Sequence, residues 1–352
     1  MSDPSPRVAY LTHPRFVEHD HPGHAENAHR IRACWRELAE GGLLPRMVAI
    51  TPEPAQDGDL LRTHEESYLQ QLDLLAQQDP TRRFLLDADT YASAVSPTIA
   101  RLAAGAAIGA VEALQHDRAQ RALVLARPPG HHARPMTAMG FCLLGNVAIA
   151  ALHAVAEWGL ERVLVVDYDV HHGNGTQEML YENANALFFS VHQSPFYPGT
   201  GLLHEIGAGR GRGTTINAPL PPGHGDDSYR RLMDTVLLPA ARRFEPQLVL
   251  VSAGFDAHWQ DPLARMNLSL RGYDEMARSL IHLADECCQG RIIFFLEGGY
   301  DTRVLASGVR NLAHALLGDE ECHDPFGPPP QASPAIDSLL RSLCQIHELP
   351  AS

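Results

Sequence analysis

The sequence predicts an α/β protein built on a parallel β-sheet. Short apolar runs alternate along the chain with longer segments of helical periodicity, which is the order of elements in parallel sheets. The runs at 248–251 and 292–295 are apolar throughout and do not alternate with polar residues. A strand needs that composition when helices cover both faces of its sheet. We therefore expect helices on either side of one central sheet.

Six segments are predicted as strands and eight as helices. The strand candidates, rich in β-branched residues, are 8–12, 122–126, 162–167, 186–191, 247–252 and 291–296. The helix candidates are 25–40, 65–78, 97–116, 146–157, 226–244, 273–288 and 302–317, with a last short helix at 335–347. Segments 80–94 and 193–225 are predicted as long loops that control access to the site.

The chain is interpreted as one domain with a short C-terminal appendage. Residues 1–320 contain no internal repeat and no break in composition. Residues 324–334 are rich in proline and are interpreted as a linker to the last helix. We therefore predict a single domain at 1–320, followed by a linker and short helix at 321–352.

The composition disfavours several classes of function. The formal charge of −14 disfavours nonspecific nucleic-acid binding, which depends on Lys and Arg neutralising phosphates. The six cysteines form no C-x-x-C pair, so neither a disulfide framework nor a thiolate zinc site is expected. Residues 1–7 show no apolar signal region, and no apolar run approaches the roughly 18 residues of a membrane span. We expect a soluble cytoplasmic protein.

Polar side chains with catalytic potential follow five of the predicted strands. In chain order they are His131 and His132, Asp169 and His171, His192, Asp256, and Tyr300. Ligands of open α/β sheets bind beyond the carboxyl ends of the strands. The convergence of so many strand ends on one edge predicts an active site there.

Asp169 and His171 are candidate metal ligands. They lie two residues apart, so their side chains leave an extended chain on the same side. Asp256, after another strand, is the candidate third ligand. Two carboxylates and one imidazole leave an open position for water, as in catalytic zinc sites, and would also accept iron or cobalt. An isolated D-x-H more often satisfies backbone groups at a strand end, but the convergence described above favours the metal site.

His131 and His132 are candidates for acid–base chemistry. Imidazole changes its charge near neutral pH, and the Pro-Pro-Gly segment 128–130 would hold both rings in a rigid turn. Tyr300 follows two glycines, which let the backbone bend so that the phenol can hydrogen-bond a developing oxyanion. Surface histidines and a packed turn aromatic are the alternatives.

Phe141 and Tyr197 are candidate walls of a substrate slot. Each stands in a glycine-containing loop at the same edge, with Gly140 directly before Phe141. Two aromatic walls would form a narrow apolar slot for an extended alkyl chain. An ordinary core role fits both rings equally well from these residues alone.

These motifs resemble the histone deacetylase family, in the bacterial branch of histone-deacetylase-like amidohydrolases and acetylpolyamine amidohydrolases. The matching blocks spread over most of residues 10–317 and are specific in combination. They are residues 127–133, 140–146, 166–177, 196–201, 252–256 with 261–262, and 297–300. The resemblance implies the arginase/deacetylase fold, a three-layer α/β/α arrangement with a mostly parallel sheet of about eight strands.

The resemblance also implies the roles of individual residues. Asp169, His171 and Asp256 would bind zinc, Zn²⁺, and a structural potassium ion, K⁺, would be bound by Asp167, Asp169, His171 and Ser190. His131 and His132 would be the tandem catalytic histidines, with Asp167 behind His131, and Tyr300 the transition-state tyrosine. Phe141 and Tyr197, beside Gly140, would form the walls of an acyl-lysine tunnel.

Three positions depart from some members of the family. Asn174 stands where many class I members carry Asp behind the second histidine, as in class II. A neutral amide stabilises imidazolium less than a carboxylate does, so His132 should be the better base. Leu263 replaces the glutamate of polyamine-selective relatives, which argues against that specificity. Arg30 matches an arginine of the internal channel, in a motif at 24–30 whose two prolines are alanine here.

The resemblance implies zinc-dependent hydrolysis of an N-acyl amide, with acetylated lysine or a small acetylated amine as substrate. His132 would be the base for the attacking water and would then protonate the leaving amine. An acetylpolyamine substrate is one alternative. A ureohydrolase related to arginase would need D-x-H-x-D, and position 173 is Gly. A catalytically silent binding scaffold is the alternative of another class. The sequence leaves a homo-oligomer open.

Overall fold

The apolar runs of the sequence form the strands of one central sheet. The computed structural model describes residues 6–350, so residues 1–5 of the N-terminal segment and the last two residues of the C-terminal segment lie outside it. In chain order the elements are β1 (Val8–Leu11), α1 (Ala28–Glu40), β2 (Val48–Ile50), α2 (Asp57–Leu60), α3 (Glu66–Ala76), β3 (Phe84–Leu85), β4 (Tyr91–Ala92), α4 (Ser96–Gln115), β5 (Arg121–Val124), α5 (Asn146–Trp158), β6 (Val163–Asp167), α6 (Asn174–Leu180), β7 (Ala186–Gln193), β8 (Thr215–Leu220), α7 (Asp226–Leu232), α8 (Leu238–Phe244), β9 (Leu248–Ala253), α9 (Leu270–Cys288), β10 (Ile292–Leu296), α10 (Thr302–Leu317) and α11 (Asp337–Ile346).

The sheet has eight strands, in the order β2-β1-β5-β10-β9-β6-β7-β8. Every neighbouring pair runs parallel. This confirms the predicted α/β class and the eight-stranded parallel sheet. The strands before the candidate site residues, β5, β10, β9, β6 and β7, are consecutive in the sheet, so their carboxyl ends form one continuous edge.

Helices cover both faces of the sheet, which gives three layers. In β9, Leu248 and Leu250 pack into the core that contains α4 and α5. The intervening Val249 and Val251 pack into the core that contains α1, α9 and α10. Successive side chains of a strand point to opposite faces, so a strand between two helical layers must be apolar at every position.

The predicted loops 80–94 and 193–225 are partly wrong, because each contains strands. Segment 80–94 forms the antiparallel hairpin of β3 and β4, and 193–225 contains β8 at the edge of the main sheet. The sequence of β8, Thr-Ile-Asn-Ala-Pro-Leu, contains Asn and Pro, which are depleted in strands and tolerated at edges. The short edge strand β2 and the helices α2 and α6 also escaped prediction.

Helix boundaries differ from the prediction where polar side chains cap the first turn. The helix predicted at 25–40 begins at Ala28, because Asn27 accepts a hydrogen bond from His29 N. The helix predicted at 273–288 begins at Leu270, because Ser269 accepts from Gly272 N. The single helix predicted at 226–244 is interrupted by a π-helical turn at Met233–Leu237.

Helix α4 is apolar enough to cross a membrane, judged by length and composition alone. This differs from the prediction that no segment approaches such a span. In the structure, however, 72% of its most apolar window is buried inside the protein. It packs against α5 and against strands β1, β5 and β10, as a core helix does.

The described part of the C-terminal segment packs against the main body of the protein. Leu340 and Leu343 of α11, together with Ile336 before it, belong to the same apolar core as strands β6 and β9. Helix α11 contacts β8 and the π-helical turn after α7. The predicted short helix is therefore present, and its apolar face is covered.

Gly105 marks the closest approach of α4 to the segment after β2. A Cβ at Gly105 would lie 1.7 Å from Glu53 O, a backbone atom. We expect Gly105→Ala to lower the free energy of unfolding by about 1–3 kcal/mol, because that backbone must shift to admit the methyl group. Urea denaturation followed by circular dichroism measures the change.

Gly109→Ala in the same helix is the matched control. Its Cβ would lie 3.3 Å from Leu11 Cδ2, the end of a flexible side chain. Alanine favours a helix over glycine by about 1 kcal/mol, so this variant should be neutral or more stable. Equal stabilities for the two variants would contradict the prediction.

Candidate active site

The loops after four neighbouring strands meet at the carboxyl edge of the sheet. His131 and His132 follow β5, Asp169 follows β6, Asp256 follows β9 and Tyr300 follows β10. Because these strands are adjacent, their loops start from adjacent positions along that edge. The structure thus brings together residues that are far apart in sequence.

Asp169, His171 and Asp256 form a buried cluster, with one ligand atom from each residue within 4.8 Å of the others. His171 Nδ1 is 3.1 Å from Asp169 Oδ1 and 3.3 Å from Asp256 Oδ2. Asp256 Oδ2 is buried and has no good hydrogen-bond partner among the described residues. The cluster therefore offers a carboxylate oxygen to a further group.

The cluster fits a divalent ion such as zinc. Bonds of about 2.0–2.1 Å to a tetrahedral zinc ion place the ligand atoms about 3.3 Å apart. The two distances from His171, 3.1 and 3.3 Å, agree with that spacing. Carboxylate and imidazole ligands also suit iron and cobalt. Three protein ligands leave a coordination position for water or substrate.

The two carboxylates create a field that favours positive charge between them. Burial opposes the charge on His171, but the nearby carboxylates of Asp169 and Asp256 raise the pKa of its imidazole to about 10. Burial and then the nearby charge of Asp169 raise the pKa of Asp256. A bound cation would reduce this repulsion, because buried charges are stable only when paired.

Backbone amides fix the orientation of both carboxylates. Gly298 N donates to Asp169 Oδ2 at 2.7 Å, and Val170 N donates to Asp256 Oδ1 at 2.9 Å. A Cβ at Gly298 would lie 2.0 Å from Asp256 Oδ2, so only glycine permits this approach. The other oxygen of each carboxylate is left beside His171 Nδ1.

The adjacent histidines differ in their preferred charge. Burial opposes the charge on His131, but Asp169 and Asp167 raise its pKa well above 6.5, and its Nδ1 lies 3.0 Å from Asp167 Oδ2. Burial and the charge of His131 hold the pKa of His132 well below 6.5. His132 Nδ1 lies 2.8 Å from Asn174 Oδ1. His132 is therefore the neutral imidazole, with Nε2 left to accept a proton.

A cavity of about 290 Å³ opens over the cluster. The residues that line it are His24, Ala25, Asp89, His132, Gly140, Phe141, His171, Tyr197, Leu263 and Tyr300. The Tyr197 ring stands edge-on to His132, with ring centroids 5.2 Å apart. The Phe141 ring stands edge-on to Tyr300 at 5.9 Å. Both predicted wall aromatics thus border the cavity, and Leu263 is 37% exposed.

Arg30, predicted to line an internal channel, supports the loop that carries Tyr300. Its guanidinium carbon lies 5.1 Å from the centre of the Tyr300 ring, within cation–π range. Arg30 Nε donates to Gly299 O at 2.7 Å, and Nη2 donates to Glu297 O. The side chain is 1% exposed. Its charge is therefore used inside the protein, directly behind the tyrosine.

Glu26 connects Arg30 to Arg127. It accepts hydrogen bonds from Arg127 through both carboxylate oxygens and from Arg30 Nη1 at 3.1 Å. Burial opposes its charge, but Arg127 and Arg30 lower the pKa of Glu26 from 4.5 to about 2. Arg127 begins the segment that ends in His131, and Arg30 supports Tyr300. One carboxylate therefore ties these two segments together.

Ser190 and His192, both in β7, bond to each other. Ser190 Oγ lies 2.9 Å from His192 Nδ1, and His192 Nε2 lies 3.0 Å from Gly201 O. The sequence grouped His192 with the residues that converge on the site, but the structure places it within the strand, beneath the loop at 194–201. His192 is the penultimate residue of β7, its ring bonds to the neighbouring loop, and it is not among the residues that line the cavity.

Two residues near the site were not singled out from the sequence. Glu297 accepts hydrogen bonds from Gly130 N at 2.8 Å and His131 N at 3.2 Å, and so supports the histidine turn. Its signal was its place in the matched block 297–300. Asp89 borders the cavity from the hairpin of β3 and β4. It lay in a segment predicted as loop, where no periodicity marked it.

A parallel sheet with a buried Asp-His-Asp cluster and paired histidines at its carboxyl edge is typical of hydrolases that activate water at a metal ion. The family profile described as the histone deacetylase domain matches residues 24–316. The chain belongs to the histone deacetylase family. Family membership supports deacetylase or amidohydrolase activity.

Known proteins of this family resemble the chain over most of its length. It is 43% identical over 279 residues to the histone deacetylase-like amidohydrolase of Pseudomonas aeruginosa, covering 79% of this chain and 73% of that protein. It is 39% identical over 291 residues to a probable deacetylase of Archaeoglobus fulgidus, covering 82% and 80%. The crystal structure of the HDA15 HD domain matches with a TM-score of 0.86 at 34% identity, covering 97% and 94%.

We expect Glu26→Gln to lower the free energy of unfolding at neutral pH by about 3–5 kcal/mol, because two buried guanidinium groups lose their anion. The folded pKa of Glu26, about 2, lies below its ordinary value of 4.5. Its stabilising contribution is therefore complete above pH 4.5 and is lost as the pH falls towards 2. The difference from the unsubstituted protein should shrink over that interval in urea titrations.

Glu178→Gln is the control for that substitution. Glu178 pairs with Arg134 on the surface, where both side chains are at least 40% exposed. Exposed pairs contribute at most about 1 kcal/mol. A Glu26 variant as stable as the Glu178 variant would show that the buried network contributes no more than a surface pair.

Proposed function

We propose that this protein is a zinc-dependent amidohydrolase that removes acetyl groups from acetylated lysine side chains or small acetylated amines, releasing acetate and the free amine. The observation that carries the proposal is the buried cluster of Asp169, His171 and Asp256, with the imidazole of His132 beside it in the lining of the same cavity. A metal site next to a base is the arrangement that amide hydrolysis requires. Membership of the histone deacetylase family supports the same reaction class.

Zinc held by Asp169, His171 and Asp256 would supply Lewis acidity towards the amide carbonyl and the attacking water. His132 Nε2 accepts the proton of that water as the C–O bond forms. It then gives the proton to the amine nitrogen as the C–N bond breaks. His131, charged and paired with Asp167, stabilises the negative charge that develops nearby.

The Tyr300 hydroxyl donates a hydrogen bond to the carbonyl oxygen as that oxygen becomes negative. Burial, followed by the charge of Asp256, raises the pKa of Tyr300 well above 10. The phenol therefore stays protonated over the pH range in which His132 is neutral. Its hydroxyl can serve as a donor throughout the reaction.

The lining of the cavity favours a substrate with an extended chain that ends in an uncharged amide. Phe141 and Tyr197 supply aromatic walls, and Gly140 packs so closely on His132 that a Cβ there would lie 2.3 Å from His132 Cδ2. Leu263 stands at the exposed part of the lining and carries no charge to attract a polyamine. These features favour acetyl-lysine over acetylpolyamines as the substrate.

We also propose the remaining features inferred from the sequence. A structural potassium ion bound by Asp167, Asp169, His171 and Ser190 is supported by the burial of Asp167 and Ser190, which face each other in neighbouring strands β6 and β7. A single catalytic domain at 1–320 carries the segment 321–352, whose α11 packs on it. A cytoplasmic location is supported by six free cysteines. The acidic charge supports a role without direct nucleic-acid binding, and a homo-oligomer stays open.

We expect hydrolysis of a fluorogenic acetyl-lysine substrate to stop when dipicolinate removes the metal and to recover with one equivalent of Zn²⁺. Asp256→Asn should lower the zinc content of the purified protein, because one of three ligands loses its charge. Asp226→Asn, a carboxylate bonded to Ser269 away from the cluster, should retain it. Full activity in the metal-free protein would refute zinc dependence.

A panel of acetyl-lysine peptides, acetylpolyamines and longer acyl-lysines then identifies the preferred substrate.

We expect Tyr300→Phe to lower kcat by about 10²–10³-fold, because the developing oxyanion loses a hydrogen-bond donor. Zinc content and KM should change little. Tyr273→Phe is the control, because its buried hydroxyl has no hydrogen-bond partner among residues 6–350 and its ring lies outside the cavity. A Tyr300 variant with a kcat close to that of the Tyr273 variant would exclude the oxyanion role.

A further inference from the structure

The loop that carries Tyr300 is held between two buried side chains, Arg30 and Asp261. On one side, Arg30 donates to Gly299 O at 2.7 Å. On the other side, Asp261 Oδ2 accepts from Tyr300 N at 2.7 Å and from Asp301 N at 3.4 Å. Hydrogen bonds to charged groups are the stronger ones. A guanidinium group bound to backbone carbonyls and a buried carboxyl group bound to backbone amides thus fix the same short segment.

Asp261 also holds the mouth of the cavity. Its second carboxylate oxygen, Oδ1, accepts from Leu263 N at 2.9 Å. Pro262 lies between the two residues and restricts the backbone there. Leu263 borders the cavity, whereas Asp261 does not line it and is 6% exposed. One buried carboxylate therefore fixes the backbone of both the cavity mouth and the tyrosine.

The Tyr300 loop needs such external support. Two glycines precede the tyrosine, and Gly299 has a φ of 116°, a backbone conformation that residues other than glycine rarely adopt. Glycine contributes little stiffness of its own, so the position of the loop depends on its contacts. A displacement of about 1 Å at a catalytic group can lower a rate about a hundredfold.

We propose that Asp261 is a positioning residue, which sets the place of the Tyr300 hydroxyl relative to the amide carbonyl by holding the backbone of Tyr300 and Leu263 together. This inference rests on the proposed function, because the role of Tyr300 belongs to it. Asp261 acts through the tyrosine, because it does not line the cavity and none of its hydrogen bonds among the described residues reaches the ligand cluster.

The first test is the kinetic effect of Asp261→Asn, which keeps the shape of the side chain but offers only one acceptor oxygen. We expect kcat for an acetyl-lysine substrate to fall about tenfold to a hundredfold while zinc content is unchanged. In Asp261→Ala, which loses both acceptor oxygens, kcat should fall further. Asp226→Asn is the matched control: its carboxylate accepts from Ser269 N at 2.8 Å and Ser269 Oγ at 2.6 Å, with no hydrogen bond to the loop at 297–301.

The second test separates positioning from a general loss of structure. In a Tyr300→Phe background, Asp261→Asn should change kcat by no more than about twofold, because the hydroxyl that it positions is already absent. A side chain that merely stabilises the fold would lower kcat by the same factor in both backgrounds. That result, or a wild-type kcat in the single Asp261→Asn variant, overturns the proposal.

Hydrogen exchange measured by mass spectrometry gives a readout that needs no activity. Peptides that cover residues 297–304 should exchange faster in Asp261→Asn than in Asp226→Asn, because asparagine leaves a single acceptor oxygen for the backbone amides of Leu263, Tyr300 and Asp301. Unchanged hydrogen exchange in these peptides would show that Asp261 does not hold the Tyr300 loop, and would overturn the proposal. If the unsubstituted protein hydrolyses no acyl amide, the proposed function fails, and the exchange result still decides whether Asp261 holds the loop.

Discussion

Two carboxylates buried side by side, Asp169 and Asp256, govern the rest of the structure. Both are fully buried, and a carboxylate oxygen of each lies close to the same imidazole nitrogen, His171 Nδ1, at 3.1 Å for Asp169 and 3.3 Å for Asp256. An anion in a dry interior is costly unless a partner of opposite charge is present. Two such anions favour a positive centre between them. Backbone amides bond three of the four carboxylate oxygens, and Asp256 Oδ2 is the one that no backbone amide among the described residues reaches.

Opposite charges alternate outward from that centre. His131 lies between Asp169 and Asp167, and farther out Glu26 lies between Arg127 and Arg30. Each of these charged groups also hydrogen-bonds a segment that carries a catalytic side chain or leads to one. Pairing of charges in the interior and placement of the reactive groups are thus achieved by the same contacts, which explains why so many ionisable residues are buried beneath one cavity.

The sequence predicted the central strands and the gathering of Asp169, His171 and Asp256, because fully apolar runs and the motifs after them are strong local signals. The edge strands β2 and β8 carried no such signal: one is three residues long and partly exposed, and the other contains Asn and Pro. Asp89 was missed because a short hairpin, not a motif, brings it to the cavity. Contacts such as Glu26 with Arg127 depend on tertiary packing, which no local pattern encodes.

The strand order has a consequence for how the chain acquires its shape. Among the described residues, β10, the last strand in sequence, pairs with both β5 and β9 and so joins the group β2-β1-β5 to the group β9-β6-β7-β8. Helices α4 and α5, which pack against each other, also connect the two groups. Without residues 292–296, β5 and β9 would each have an unpaired edge in the middle of the sheet. Such edges invite association between chains.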